Sequence, residues 1–192
     1  STYLGKPGNP EKGGISFQEY RKRQTQHRDA EIAALLDVPT FIEKSRNIYQ
    51  YGNFVCDSGG SLCEVVNPEN RFDPVLTCLA ENSLLLYIEG TPEHTRMLVE
   101  RFRKHPKPMY YQPAFLEKKW AEYKALNAID DDNAVDPDGF AVWGFEQLLH
   151  HRIPLYKAIA DNFGYTVRMR DVPNVQSVED FTALVSQIID QK

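Results

Sequence analysis

The sequence lacks what several specialised protein classes require. No apolar run approaches the roughly 18 residues that cross a bilayer, so no membrane partner is expected. No charged-then-apolar leader opens the chain. Cysteine is scarce: Cys56, Cys63 and Cys78 are the only three, and no pair has C-x-x-C spacing. That spacing argues against a zinc site and for reduced thiols in a cytoplasmic protein. No basic excess is present; the net charge is −5, which argues against a general nucleic-acid binder. There is no internal repeat and no low-complexity tract. The stretch "DDDNAVDPDG" is rich in carboxylates but lacks the D-x-[DN]-x-[DN]-G order of a calcium loop, and reads as an exposed acidic loop. His150 and His151 have no sequence neighbours that would complete a metal set.

What is present suits a folded domain. The chain has 192 residues, 42% hydrophobic and 26% charged, enough for one domain with a real core. "STYLGKPGNPEKGG" has four Gly and two Pro, so residues 1–15 read as an irregular lead-in. "SFQEYRKRQTQHRDAEIAALL" reads as a helix, with Ser16 as N-cap and Glu19 at capping-box spacing. A second helix follows Val38-Pro39 and ends at Gly52. "NFVCD", residues 53–57, has strand length. Asp73 and Pro74 open a helix. In "SLLLYIEG", the apolar run Leu84–Ile88 predicts a strand buried on both faces, as in a covered parallel sheet. Thr91 and Pro92 open the next helix. "AFLEKKWAEYKAL" is helical, with Phe115, Leu116, Trp120 and Tyr123 on one side; its aromatics read as helix packing. "FAVWGFEQLLHH" and "RIPLYKAIADNFG" read as two further helices, the second closed by Gly164. "YTVRMR" is a strand, and Ser177 with Asp180 opens a C-terminal helix.

The stretch "CDSGGSLC", Cys56 to Cys63, poses the functional question. Asp-Ser-Gly-Gly is how the nucleophile loop of chymotrypsin-like proteases reads. Those domains are nearly all β, and their triad needs a His and an Asp upstream of the Ser. Here the pattern is mainly helical, and the one upstream His, His27, lies in a charged helix. G-x-S-x-G does not match either. The other reading puts Asp57 at the carboxyl end of a strand, where open α/β sheets bind ligands. Asp57 would hold Mg²⁺ or orient an acceptor hydroxyl, and Gly59 and Gly60 would let a ligand approach the backbone. A plain strand ending in a tight turn fits the same residues.

Three segments resemble one family. "RIPLYKAIAD", Arg152 to Asp161, is similar to the R-x-P-L-Y-x-E-x-A-D run of shikimate kinases. "FVCDSGGSL…NPENRFDPVLTCLAENSLLLYIEGTPEHTRMLVERF" resembles their strand, Gly loop, helix, strand and LID-entering helix. "YRKRQ" has the spacing of their F-R-x-x-E. The resemblance covers roughly residues 17 to 190. It departs at Ser61, in place of a third Gly, and at Ala158, in place of Glu.

The resemblance implies a shikimate-kinase-like P-loop kinase or ATPase with a three-layer α/β/α fold and a short parallel sheet. Residues 1–192 would form one domain, with a LID-like helical insertion and acidic loop at 101–140. The implied activity is phosphoryl transfer from ATP, with Mg²⁺, to a small anionic metabolite. Arg21 and Arg152 would clamp the substrate, and Gly59 and Gly60 would line its loop. Arg101 or Arg103 would steady the transferred phosphoryl group. Arg170, Pro173 and Asn174 would lie near the adenine. No G-x-x-x-x-G-K-[ST] occurs in the sequence. The chain begins Ser-Thr-Tyr, and the expectation is that the first strand and the P-loop lie upstream of Ser1. Two alternatives stay open: an ATPase without an acceptor, and a degenerate P-loop fold that binds without catalysis.

Overall fold

The computed structural model describes residues 2–191. In chain order its elements are α1 (Phe17–Leu36), α2 (Val38–Asn47), α3 (Leu62–Val65), α4 (Pro74–Asn82), β1 (Leu86–Glu89), α5 (Pro92–Lys104), α6 (Pro113–Leu126), α7 (Pro137–Phe163), β2 (Tyr165–Arg168) and α8 (Val178–Asp190). Short 3₁₀ turns cover Thr2–Leu4, Pro10–Lys12, Asp132–Ala134 and Met169–Asn174. The chain divides into two compact units. Unit 1 is Ser1–Ala33 with Arg96–Arg152, and unit 2 is Ala34–Thr95 with Ile153–Lys192.

The expected three-layer α/β/α fold of P-loop type does not form. The described residues are mainly helical, and their one sheet has two strands. Two readings fail together. Residues 53–57 form no strand: Val55 is 86% exposed, and no strand lies beside it to take its N–H and C=O groups. Leu84–Ile88 is not buried on both faces, because Leu84 and Ile88 are each more than 40% exposed and β1 starts only at Leu86. An apolar run gives a buried strand only where layers exist to cover it.

Unit 1 is built on aromatic packing. Leu116, Trp120 and Tyr123 recur at helical spacing on α6 and are buried with Tyr20, Tyr111, Val135, Phe140 and Leu148. The Trp120 ring stacks on Phe17 at 4.6 Å and meets Phe140 edge-on at 4.8 Å. Gln24 is buried on α1 but satisfied: its Nε2 donates to the Met109 carbonyl, and its Oε1 accepts from the Tyr111 N–H. The lead-in is irregular but tied down, with Gly8 N–H donating to Ile15 O and Asn9 N–H to Val135 O. The acidic loop is tied down as well. Asp132 accepts from Trp120 Nε1 at 3.1 Å and from Lys124 at 2.6 Å, and Asp136 accepts from Lys12 at 2.7 Å.

Unit 2 holds the sheet. β1 and β2 are parallel, in register from Leu86↔Tyr165 to Glu89↔Arg168. Cys63, Leu76 and Ile159 form its buried centre, with Leu85, Leu155 and Phe163 against it. Asp73 caps α4 by accepting from the N–H groups of Val75 and Leu76, both at 3.0 Å. Ser177 and Asp180 form a full capping box at the start of α8. None of Cys56, Cys63 and Cys78 forms a disulfide among the described residues. No helix among the described residues is long and apolar enough to cross a membrane.

The two helices expected over 140–164 are one. α7 runs through Pro154 without a break. The proline removes one N–H from the ladder, which usually ends a helix. Burial on both sides of it, Leu148 and Arg152 before and Ile159 and Ala160 after, holds the chain helical. Gly164 then admits β2 to the sheet. A Cβ there would come within 2.4 Å of the Leu85 carbonyl oxygen, which accepts from Tyr165 N–H at 2.9 Å. Gly164→Ala is therefore expected to lower the urea stability of the protein by about 1–3 kcal/mol. An unchanged denaturation midpoint would show that the strands do not need this close approach.

Candidate functional site

Parallel strands end on the same side of a sheet, and the open space beyond their carboxyl ends is where α/β sheets hold ligands. In unit 2 that space is a cleft of 820 Å³. β1 contributes Glu89 and β2 contributes Thr166 and Arg168. The 3₁₀ turn after β2 adds Arg170, Asp171 and Asn174, and α7 adds Lys157 and Asp161. α8 closes the other side with Leu184 and Ile188, one helical turn apart, beside Val175. α8 also contributes Asp180 and Gln187, and Gln191 follows it, so the lining is mainly polar with apolar side chains among it.

Most of its charges are already engaged. Lys157 bonds Asp161 at 2.9 Å on α7, and that hydrogen bond holds the lysine pKa above its ordinary value. Asp180 accepts from the N–H groups of Gln176 and Ser177, which holds its pKa down. Arg170 meets only its neighbour Asp171, at 3.9 Å, while 70% of its side chain is exposed. Glu89 and Arg168 are left. They are register partners at the last position of the ladder, both exposed, and neither makes an ion pair among the described residues. Two residues before Glu89, Tyr87 stacks on Tyr156 at 5.6 Å, and burial pushes its phenol pKa up.

The residues singled out from sequence are spread over the two units. In unit 2, Arg170 and Asn174 line the cleft, and Pro173 lies in the same 3₁₀ turn. Asp57 is exposed, and its Oδ1 accepts from Gly59 N–H at 3.0 Å. Gly59 takes φ +75° and its carbonyl accepts from Tyr156 Oη at 3.3 Å; Gly60 is exposed. This loop adjoins a separate, mainly apolar hollow of 280 Å³ lined by Ser58, Leu62, Tyr87 and Tyr156. In unit 1, Arg21 is exposed on α1 and pairs with Glu117 at 2.8 Å, beside a pocket of 340 Å³ shared with Lys22, Gln24 and Leu116. Arg152 is 7% exposed and donates to the Tyr110 carbonyl at 3.0 Å. Arg101 and Arg103 are exposed at the end of α5, flanking Phe102, whose ring stacks on Phe145. The described residues contain no group of three or more His, Cys, Asp or Glu placed to hold a metal ion, and Asp57 is a single carboxylate.

Sequence reasoning missed Glu89, Lys157 and Arg168. A usable signal exists for two of them. Each is the first charged residue after an apolar strand run, in "LYIE" and "YTVR".

Compared with known proteins, the chain matches no family model, no curated protein and no solved structure.

Unit 1 carries one group poised to respond to acid. His151 stacks on Phe115 at 4.2 Å, and burial first, then the cations Arg152 and Lys119, holds its pKa below 6.5. Below that pH the unfolded chain takes up a proton that the folded chain refuses, so stability falls as pH drops. His151→Phe keeps the ring stack and is expected to flatten the loss of melting temperature between about pH 7.5 and about pH 5.5. An identical slope in the variant would remove His151 as the cause.

Proposed function

We propose that the cleft of unit 2 binds a nucleotide, and that the chain serves ATP-dependent phosphoryl transfer to a small anionic metabolite. One observation carries the reading. At the carboxyl ends of two parallel strands, Arg168 and Arg170 line one cleft together with the apolar side chains Val175, Leu184 and Ile188, among carboxylates and amides that include Glu89, Asp180 and Gln187. A nucleotide has the matching parts, a flat base for the apolar side chains and phosphates for the guanidiniums. The segment Arg170–Asn174, which the resemblance to shikimate kinases places near the nucleotide's adenine, lines the same cleft through Arg170 and Asn174, although here Arg170 is given to the phosphates.

The described residues do not build a centre for Mg²⁺: no group of three or more His, Cys, Asp or Glu side chains placed to hold a metal ion includes Asp57. A divalent ion in this scheme is part of the substrate, Mg-ATP, carried in by its phosphates. Residues of this chain bind and orient. Arg168 and Arg170 neutralise anionic oxygens; Asp57, exposed at the Gly59 turn beside the separate hollow and not among the residues lining the cleft, would accept a proton from an acceptor hydroxyl held at that hollow. The proposed setting is the cytoplasm, where thiols such as the exposed Cys56 stay reduced.

A second reading, nucleotide binding without catalysis, is favoured by one fact. Asp57 Oδ1 already accepts from Gly59 N–H, which also serves a simple turn.

Calorimetric titration of the full chain with ADP tests the binding step. The expected result is saturable binding that Arg170→Ala weakens about tenfold. No binding, or binding unaffected by Arg170→Ala, would overturn the assignment of the cleft. Turnover of Mg-ATP with candidate acceptors then separates the two readings. Turnover lost in Asp57→Asn with the fold intact supports catalysis, and full activity in that variant removes Asp57 from the mechanism.

A further inference from the structure

The cleft contains one unusual pair. Glu89 and Arg168 face each other across the last rung of the ladder, opposite in charge and adjacent in register. Such neighbours ordinarily join, since opposite charges at registered positions attract. Here they make no ion pair with each other among the described residues and each lines the cleft exposed, while Lys157 and Asp161 beside them pair with one another and Arg170 lies 3.9 Å from Asp171. The Tyr87–Tyr156 stack explains how they are held. It fixes the β1 backbone against α7 just before Glu89, and the carboxylate then falls within the field of Lys157. Arg168 is anchored from the other side, where Val167 is buried and α8 lies against β2.

A carboxylate and a guanidinium side by side, unpaired and facing one cleft, offer a hydrogen-bond acceptor next to an anion-binding fork. The ligand group that satisfies both carries hydroxyl donors within a few bonds of a phosphate. We infer that Glu89 and Arg168 read the sugar-phosphate part of the ligand. The Glu89 carboxylate accepts from the ribose hydroxyls, and the Arg168 guanidinium donates to the phosphate attached to the same sugar. This rests on the nucleotide reading above and deepens it. The cleft selects a phosphorylated ribose and discriminates against a deoxy sugar. Thr166, one position before Val167 on β2 and also lining the cleft, adds a hydroxyl on the phosphate side.

The test uses the full chain and three probes: ADP, 2′,3′-dideoxy-ADP and ribose 5-phosphate. Wild type is expected to bind ADP about tenfold more tightly than dideoxy-ADP, the usual cost of leaving a charged acceptor unfilled. Glu89→Ala, which removes the acceptor, should erase that difference, and Arg168→Ala should weaken both nucleotides by about the same factor. Equal affinities for ADP and dideoxy-ADP in wild type would overturn the inference without recourse to any variant. So would a difference that survives Glu89→Ala. Binding of ribose 5-phosphate that depends on both residues, with no binding of ADP, would uphold the sugar-phosphate site and discard the nucleotide. Failure of all three probes would discard both.

Discussion

A four-residue parallel ladder fixes the geometry on which the candidate site depends. Parallel strands cannot be joined by a tight turn; they need a long crossover, and here the chain between β1 and β2 runs through α5, α6 and α7. Two strands alone are marginal in water. This pair persists because Leu85, Ile159 and Phe163 bury one side and Gly164 lets the backbones approach. The ladder in turn sets Glu89 beside Arg168 and leaves open space beyond both.

The charges at the strand ends follow from where the apolar runs stop. "LLLYI" ends at Glu89 and "YTV" ends at Arg168, so the first charged residue of each strand lies at its carboxyl end. Local pairing then does the sorting. Lysine and aspartate four apart on α7 satisfy each other, and Asp180 is spent on capping α8. Arg168 and Glu89, which make no ion pair among the described residues, and the mostly exposed Arg170 are what a ligand would meet. Unit 1 is constructed differently. Its centre is aromatic, and polar side chains around it bond within the unit, as with Gln24 on Met109 and Asp132 on Trp120.

Much of the local structure was legible in the sequence. Caps at Ser16, Asp73 and Ser177 are side-chain chemistry acting within three residues, and each accepts the backbone N–H its spacing predicts. Of the three strands that the sequence predicts, those at Leu84–Ile88 and 165–170 overlap β1 and β2, which do pair in parallel, and the one over 53–57 does not form. The layered fold was not legible, because it was extrapolated from apolar runs. Leu84–Ile88 and 53–57 are apolar enough for a covered sheet, but coverage is a property of neighbours far away in sequence. Pro154 misled in the opposite way: its local cost is real, and burial on both sides outweighs it. Within the site, Arg170 and Asn174 were named from resemblance and do line the cleft. Glu89 and Arg168 were not, because their significance lies in register, which only pairing defines.

The most direct test of this account is a titration of isotope-labelled protein with ADP, followed amide by amide. The account predicts that shifts concentrate at Glu89, at 166–174 and at 184–188, with the amides around Arg21 in unit 1 unmoved. Shifts centred on Arg21 and Lys22, or no shifts at saturating ADP, would contradict it.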